Sequence, residues 1–192
     1  MTTLVLATHN AHKVQELRRI LGDRLGDHDL VAYDGPAPVE DGDTFEANAL
    51  IKARAAHAHT GLPALADDSG IVVDALGGAP GIDSAHYSGE RDDAANLRLV
   101  LANLEGIADR SARFVCAAAL VDDSGEYVVR GEWPGSVLTA PAGEGGFGYD
   151  PIFRPEGSAR SSAELTAAEK DADSHRARAF VALAEELRRR FG

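Results

Sequence analysis

The chain has 192 residues, 44% of them hydrophobic, and 31 acidic against 19 basic residues give a formal net charge of −12. That length and apolar share suit a single globular domain over residues 1–192, with enough material for a core. So acidic a chain lacks the footprint for a nucleic-acid backbone, and no apolar run approaches the roughly 18 residues of a membrane span, so neither a nucleic acid polymer nor a membrane is an expected partner.

Residues 4–7 read as a short buried strand that runs through Thr8-His9-Asn10-Ala11-His12 into a helix beginning near Lys13. Val14, Leu17, Ile20 and Leu21 give that helix an apolar face. An extended stretch at 30–33 and a Pro/Gly-rich loop at 35–43 precede a second helix, for which Asp43-Thr44-Phe45-Glu46 resembles a capping box and Gly61 a stop. Two strands are expected around a turn at Asp67-Asp68, then a Gly/Pro-rich loop at 77–89 and a third helix at 92–104. Strands at 113–121 and 126–130 flank Asp122-Asp123-Ser124-Gly125 as a hairpin, and 131–139 continues the second strand beyond Pro134. A glycine-rich segment at 141–150 leads through Pro151-Ile152-Phe153 to a short helix near 162–170 and a last helix over 174–191. Helices alternating with strands, followed by a hairpin, predict an α/β domain on a mixed sheet.

Met1-Thr2-Thr3-Leu4 has no basic region ahead of an apolar stretch, and Cys116, the one cysteine, sits in an apolar run. Both features suit a cytoplasmic protein, with Cys116 a small buried hydrophobe.

Ala66-Asp67-Asp68-Ser69-Gly70 sets two carboxylates and a hydroxyl between the apolar runs Leu62–Ala66 and Ile71–Val73. Carboxylates so placed need a cation or dense hydrogen bonding. A divalent metal serving a phosphate is one answer, and an Asx turn that reverses the chain is the other. Lysine is scarce: Arg supplies 16 of the 19 basic residues, leaving Lys13, Lys52 and Lys170. Positions that keep Lys are candidates for a compact ammonium charge. Lys13 in a first helical turn opposes the helix dipole, which a bound phosphate would explain.

Gly143-Glu144-Gly145-Gly146-Phe147-Gly148 matches Gly-x-Gly-x-x-Gly, but Pro141 precedes it and Tyr149-Asp150-Pro151 follows. It therefore does not open a dinucleotide-binding helix. Its glycines would let the backbone approach a ligand, with Phe147 or Tyr149 as a stacking surface, and Pro151 should leave Asp150 extended. His57 and His59 lie two apart on a helix and so cannot share one ion. Ser174-His175-Arg176 opens the last helix and should project donors from its mouth.

Taken in order, Thr8–Lys13, Glu40–Phe45, Ala66–Gly70, Gly77–Gly81, Gly145–Phe153 and Ser174–Arg176 resemble the inosine triphosphate pyrophosphatase family, which in bacteria comprises the dITP/XTP pyrophosphatases. Phe147-Gly148-Tyr149-Asp150-Pro151-Ile152-Phe153 is the most specific block, and all three lysines fall in family positions. The resemblance implies a long mixed β-sheet with flanking helices in two lobes around a central cleft, and a homodimer. It implies Mg²⁺-dependent hydrolysis of dITP, ITP and XTP to the monophosphate and pyrophosphate. By position, Thr8, His9, Asn10, Ala11, His12 and Lys13 would hold phosphates, and Glu40 and Asp68 the metal, with Asp68 also the catalytic base. Ser69, Phe147, Gly148, Tyr149, Asp150 and Lys170 would line the nucleotide site, and His175 and Arg176 would face the base. His9 departs from the pattern, since many members carry a small residue there. On a strand, neighbours point to opposite faces, so Asp67 should support rather than share the metal shell. A Maf-like pyrophosphatase for modified pyrimidines and a non-catalytic nucleotide binder are the alternative readings.

Overall fold

The computed structural model describes all residues, Met1–Gly192. Eleven principal elements follow one another: β1 (Thr3–Leu6), α1 (Ala11–Leu21), β2 (Asp29–Ala32), α2 (Phe45–Thr60), β3 (Ala64–Val73), α3 (Asp93–Asn103), β4 (Ser111–Asp122), β5 (Gly125–Val137), β6 (Phe153–Pro155), α4 (Ala167–Asp173) and α5 (His175–Phe191). The six strands are hydrogen-bonded in the order β2-β1-β3-β4-β5-β6. β1 runs parallel to β2 and β3, whereas β6 is antiparallel to β5. The fold is therefore α/β on a mixed sheet, as the alternation of elements predicts.

The chain divides into two compact units, one of residues 1–68, 116–131 and 175–192, the other of 69–115 and 132–174. In the first, the apolar face of α1 (Leu17, Ile20, Leu21) and that of α5 (Phe180, Leu183, Ala184, Leu187) pack with Leu4, Leu6, Leu65 and Leu120. Each fully buried Leu or Phe contributes about 1.5–3 kcal/mol, which makes these periodic faces the main source of order for both helices. Cys116 belongs to this core, and burial followed by the neighbouring Asp67 charge raises its thiol far above the usual range, leaving it inert. In the second unit, Leu97 and Val100 of α3, with Leu104 just past its end, pack with Ile71, Val73, Phe114 and Trp133. Phe153 sits among them, its ring centroid 4.4 Å from that of Phe114 and 5.6 Å from that of Trp133.

Four expectations about the course of the backbone need correction. Asp67-Asp68 is not a turn: β3 runs unbroken from Ala64 to Val73, because side-chain cations on the two strand faces hold the carboxylates and no local Asx bond is required. Thr44 caps α2 by accepting from Ala47 N, but Glu46 reaches Arg130 (3.3 Å) instead of closing a capping box. Position N3 is Ala47, so no acid stands where the reciprocal bond needs one. Asp150 begins a 3-10 turn over Asp150–Ile152, and extended backbone starts only at Phe153. The preference imposed by Pro151 yields there to the bonds of the Asp150 side chain. The helix expected near 162–170 is a 3-10 turn at Ser162–Glu164 followed by α4, each opened by its own capping box at Ser161 and Thr166. Gly61 is, as expected, the left-handed cap of α2 (φ 69°), and β5 continues through Pro134.

Candidate active site

In the first unit, the loop from β1 to α1 carries Thr8–Lys13. Asn10 is the N-cap of α1, its Oδ1 accepting from His12 N (3.0 Å) and Lys13 N (3.3 Å), and Asn10 N donates to Thr8 Oγ1 (3.2 Å). Those two amides are therefore spent on the cap, and the cationic reach of the turn lies in the Lys13 side chain. Lys13 Nζ sits 2.9 Å from Asp67 Oδ2. Ala11 and His12 lie exposed on the first turn of α1, and the exposed His9 directs Nε2 at Gly35 O, 3.0 Å away.

Asp67 is fully buried on its face of β3. Arg176 of α5 approaches the same Oδ2 through Nε at 3.4 Å and gives Nη1 to Glu16 Oε2 at 2.8 Å. Burial alone would raise the Asp67 carboxyl, but Lys13, Arg176 and Lys52 outweigh it and hold the group well below the usual carboxylate range. The guanidinium thus stands among buried carboxylates, with a side chain only 2% exposed. The expectation that Arg176 projects from the helix mouth is corrected accordingly: two anions beneath the helix draw it inward.

On the other face of β3, Asp68 Oδ1 lies 2.9 Å from Lys52 Nζ of α2, and Glu40 Oε2 lies 2.7 Å from the same nitrogen. Burial pushes Asp68 up, against the pull of Lys52, so its carboxylate is more basic than an ordinary one. Burial would lower Lys52, but Asp68, then Asp67 and Glu40, hold it protonated above its usual value. Ser69 follows on β3, half-buried. The separation of Asp67 and Asp68 onto opposite faces is the one the strand period predicts.

The second unit holds the glycine-rich segment. Asp150 is its hub: Oδ2 accepts from Phe147 N (2.9 Å) and lies 2.5 Å from Lys170 Nζ, and Oδ1 accepts from Ser162 Oγ (2.8 Å). Gly146 packs so closely on the Asp150 carboxylate that a Cβ would overlap it. At Gly146 the close approach of the backbone is therefore to its own chain, whereas a Cβ on Gly148 would meet only open space. Lys170 Nζ also stands 5.3 Å from the Phe147 ring centroid, and Gly148 N donates to Asp93 Oδ2 at 2.9 Å. Tyr149 is only 6% exposed, with its hydroxyl donating to Ser84 O at 2.7 Å. It is a core residue and not a stacking surface, whereas Phe147 is half-buried. Removing the Ser162 hydroxyl takes one bond from a buried carboxylate. Ser162→Ala should cost about 1.5–3 kcal/mol, read as a lower urea midpoint at unchanged slope.

Each of the three lysines thus meets a carboxylate: Lys13 Asp67, Lys52 Asp68 and Glu40, Lys170 Asp150. The histidines at 57 and 59 diverge, His57 Nδ1 meeting Leu62 O (2.8 Å) and His59 the Tyr33 ring edge-on (5.8 Å). Sequence reasoning missed Glu16 and Asp93. Glu16 was legible, since an acid spaced with Leu17 and Ile20 on the buried face of α1 requires a cation. Asp93 carried no local signal.

An α/β protein that aligns Lys13, Asp67, Asp68, Lys52 and Glu40 about one strand is equipped to hold phosphate oxygens and to deprotonate a nucleophile. Its lineage is explicit, for the chain belongs to the Ham1 family, whose family model matches residues 4–186. It is 55% identical over 192 residues to a dITP/XTP pyrophosphatase of Leifsonia xyli, covering 98% of this chain and 96% of that one. A dITP/XTP pyrophosphatase of Streptomyces coelicolor is also 55% identical, over the whole of both chains. Among solved structures, a HAM1 protein from Coxiella burnetii is similar at a TM-score of 0.90 and 41% identity, over 98% of this chain and 100% of the other. A dITP/XTP pyrophosphatase from Mycobacterium abscessus is 50% identical at a TM-score of 0.77, over 94% and 98% of the two chains.

Proposed function

We propose that this chain, acting as a single pyrophosphatase domain, hydrolyses dITP, ITP and XTP to the nucleoside monophosphate and pyrophosphate with Mg²⁺. The observation that carries the reading is the convergence of Glu40 and Asp68 on one cation, Lys52 Nζ, at 2.7 and 2.9 Å, in a chain matched end to end by dITP/XTP pyrophosphatases. Two hard carboxylate oxygens facing one cationic position suit Mg²⁺, which takes one or two carboxylates and completes its shell with water and substrate phosphates. Glu40 and Asp68 would hold it, and when bound it supplies neutralisation of charge on the phosphate oxygens.

The remaining work falls to the chain. Lys13 is the cation for the phosphates beside Thr8, His9, Asn10, Ala11 and His12, and Asp67 fixes it in place. Asp68 takes a proton from water as the water oxygen bonds to the α-phosphorus. The bond from that phosphorus to the bridging oxygen breaks, and the electron pair leaves with pyrophosphate. The basicity that burial confers on Asp68 suits this role. Ser69, Phe147, Gly148 and Lys170 are assigned to the nucleotide, with Asp150 and Tyr149 as packed anchors behind them, and His175 to the 6-oxo face of the base; Arg176, turned inward onto Glu16 and Asp67, braces that end of α5 instead. An adenine amino group would leave a donor such as His175 unmatched, at about 1–3 kcal/mol.

Incubation with ITP and Mg²⁺ should yield IMP and pyrophosphate; IDP with orthophosphate, or faster turnover of a modified pyrimidine triphosphate, would overturn the reading. Binding of ITP without any product would favour the non-catalytic alternative. No helix is long and apolar enough to cross a membrane. A cytoplasmic setting is proposed together with the function. A homodimer is proposed as the working assembly, which light scattering on the purified protein checks.

A further inference from the structure

His9 stands in the phosphate turn, and its ring faces another segment. A carbonyl only accepts, so the 3.0 Å approach of His9 Nε2 to Gly35 O requires a proton on Nε2. The ring also lies 5.8 Å from that of Tyr33, which is 6% exposed and donates its hydroxyl to Pro36 O at 3.2 Å. The chain wraps so tightly here that a Cβ on Gly35 would overlap the Tyr33 ring. At its far end the same loop is pinned where Gly42 N donates to Asn48 Oδ1 of α2 at 2.9 Å. Glu40 lies between the two anchors, with its carboxylate on Lys52. The loop that carries Glu40 is thus tied to the Thr8–Lys13 turn through His9.

We propose that His9 is a positioning residue that latches the Glu40 loop to the phosphate turn, so that cation binding at Glu40 and Asp68 and phosphate binding at Lys13 are set by one hydrogen bond. The inference rests on the proposed function for its metal and substrate. The bond itself does not, and it can be read separately. His9→Gly removes the donor and the ring; His9→Gln restores a donor of similar reach.

Loss of one such bond should weaken Mn²⁺ binding, measured by calorimetry on the full-length protein, about 3- to 10-fold. The KM for ITP should rise by a similar factor while kcat falls less, and amide exchange over residues 34–43 should quicken. His9→Gln should return all three toward the parent values, with the thermal midpoint unchanged in both variants. Unaltered Mn²⁺ affinity and amide exchange in His9→Gly, or no recovery in His9→Gln, would overturn the latch. Faster exchange and weaker Mn²⁺ binding in a protein that does not hydrolyse ITP would keep the latch and overturn the substrate.

Discussion

Asp68→Asn is expected to lower turnover of ITP by roughly 10³-fold or more, since a general base alone contributes about 10²–10⁴ and the same carboxylate is assigned to the metal. The fold should not suffer. Burial raises Asp68 above its usual value. An acid whose folded value is raised destabilises the fold as pH rises past its unfolded value, where it must ionise in a site that disfavours the charge. The neutral amide removes that cost but also takes one anion from Lys52, which keeps Glu40 at 2.7 Å, so the two effects oppose and the thermal midpoint at neutral pH should change little. Stopped turnover with a little-changed midpoint marks a residue retained for chemistry. Full activity in Asp68→Asn would remove it from the mechanism.

Arg176→Met should be the most damaging change to stability. It leaves the carboxylates of Glu16 and Asp67, both essentially buried, without their guanidinium, and an uncompensated buried charge costs about 3–5 kcal/mol. Urea unfolding should show the loss at unchanged slope. The pH dependence identifies the anion concerned. Asp67 is depressed in the fold, so its contribution is complete above the unfolded value of about 3.9 and is lost as pH falls from there toward the folded value. Parent stability should therefore drop below about pH 4. Asp67→Asn, less stable at neutral pH, should lose less across that interval, so the two curves converge. Parallel curves would show that Asp67 is not the depressed acid.

The two outcomes contrast adjacent residues of one strand, and the contrast was partly legible beforehand. Strand periodicity alone separates the faces of Asp67 and Asp68. It does not say that Asp67 meets Lys13 and Arg176 while Asp68 shares Lys52 with Glu40, because those partners lie 16 to 109 residues away in the chain. The expected turn at this point was an error of the same origin. Asp-Asp-Ser-Gly favours a turn when its carboxylates must find local donors, and here distant lysines supply them. Likewise Tyr149 and Phe147 are equivalent as aromatic neighbours of glycine, until Ser84 O accepts the Tyr149 hydroxyl and buries that ring.

Local period and composition account for the α/β alternation, the buried faces of α1, α3 and α5, the hairpin at Asp122–Gly125, and the family read from ordered motifs. Scarce lysine also pointed to the three ammonium positions, each of which meets a carboxylate. The pairing of charges, by contrast, is settled by contacts between distant segments. These turn Arg176 inward, make Asp150 the hub of a loop, and join His9 to the strand-to-helix loop that carries Glu40. The physical reason is one of range: helix and strand faces follow from neighbours a few residues apart, whereas the partner of a buried charge is whichever opposite charge the completed chain brings within bonding distance.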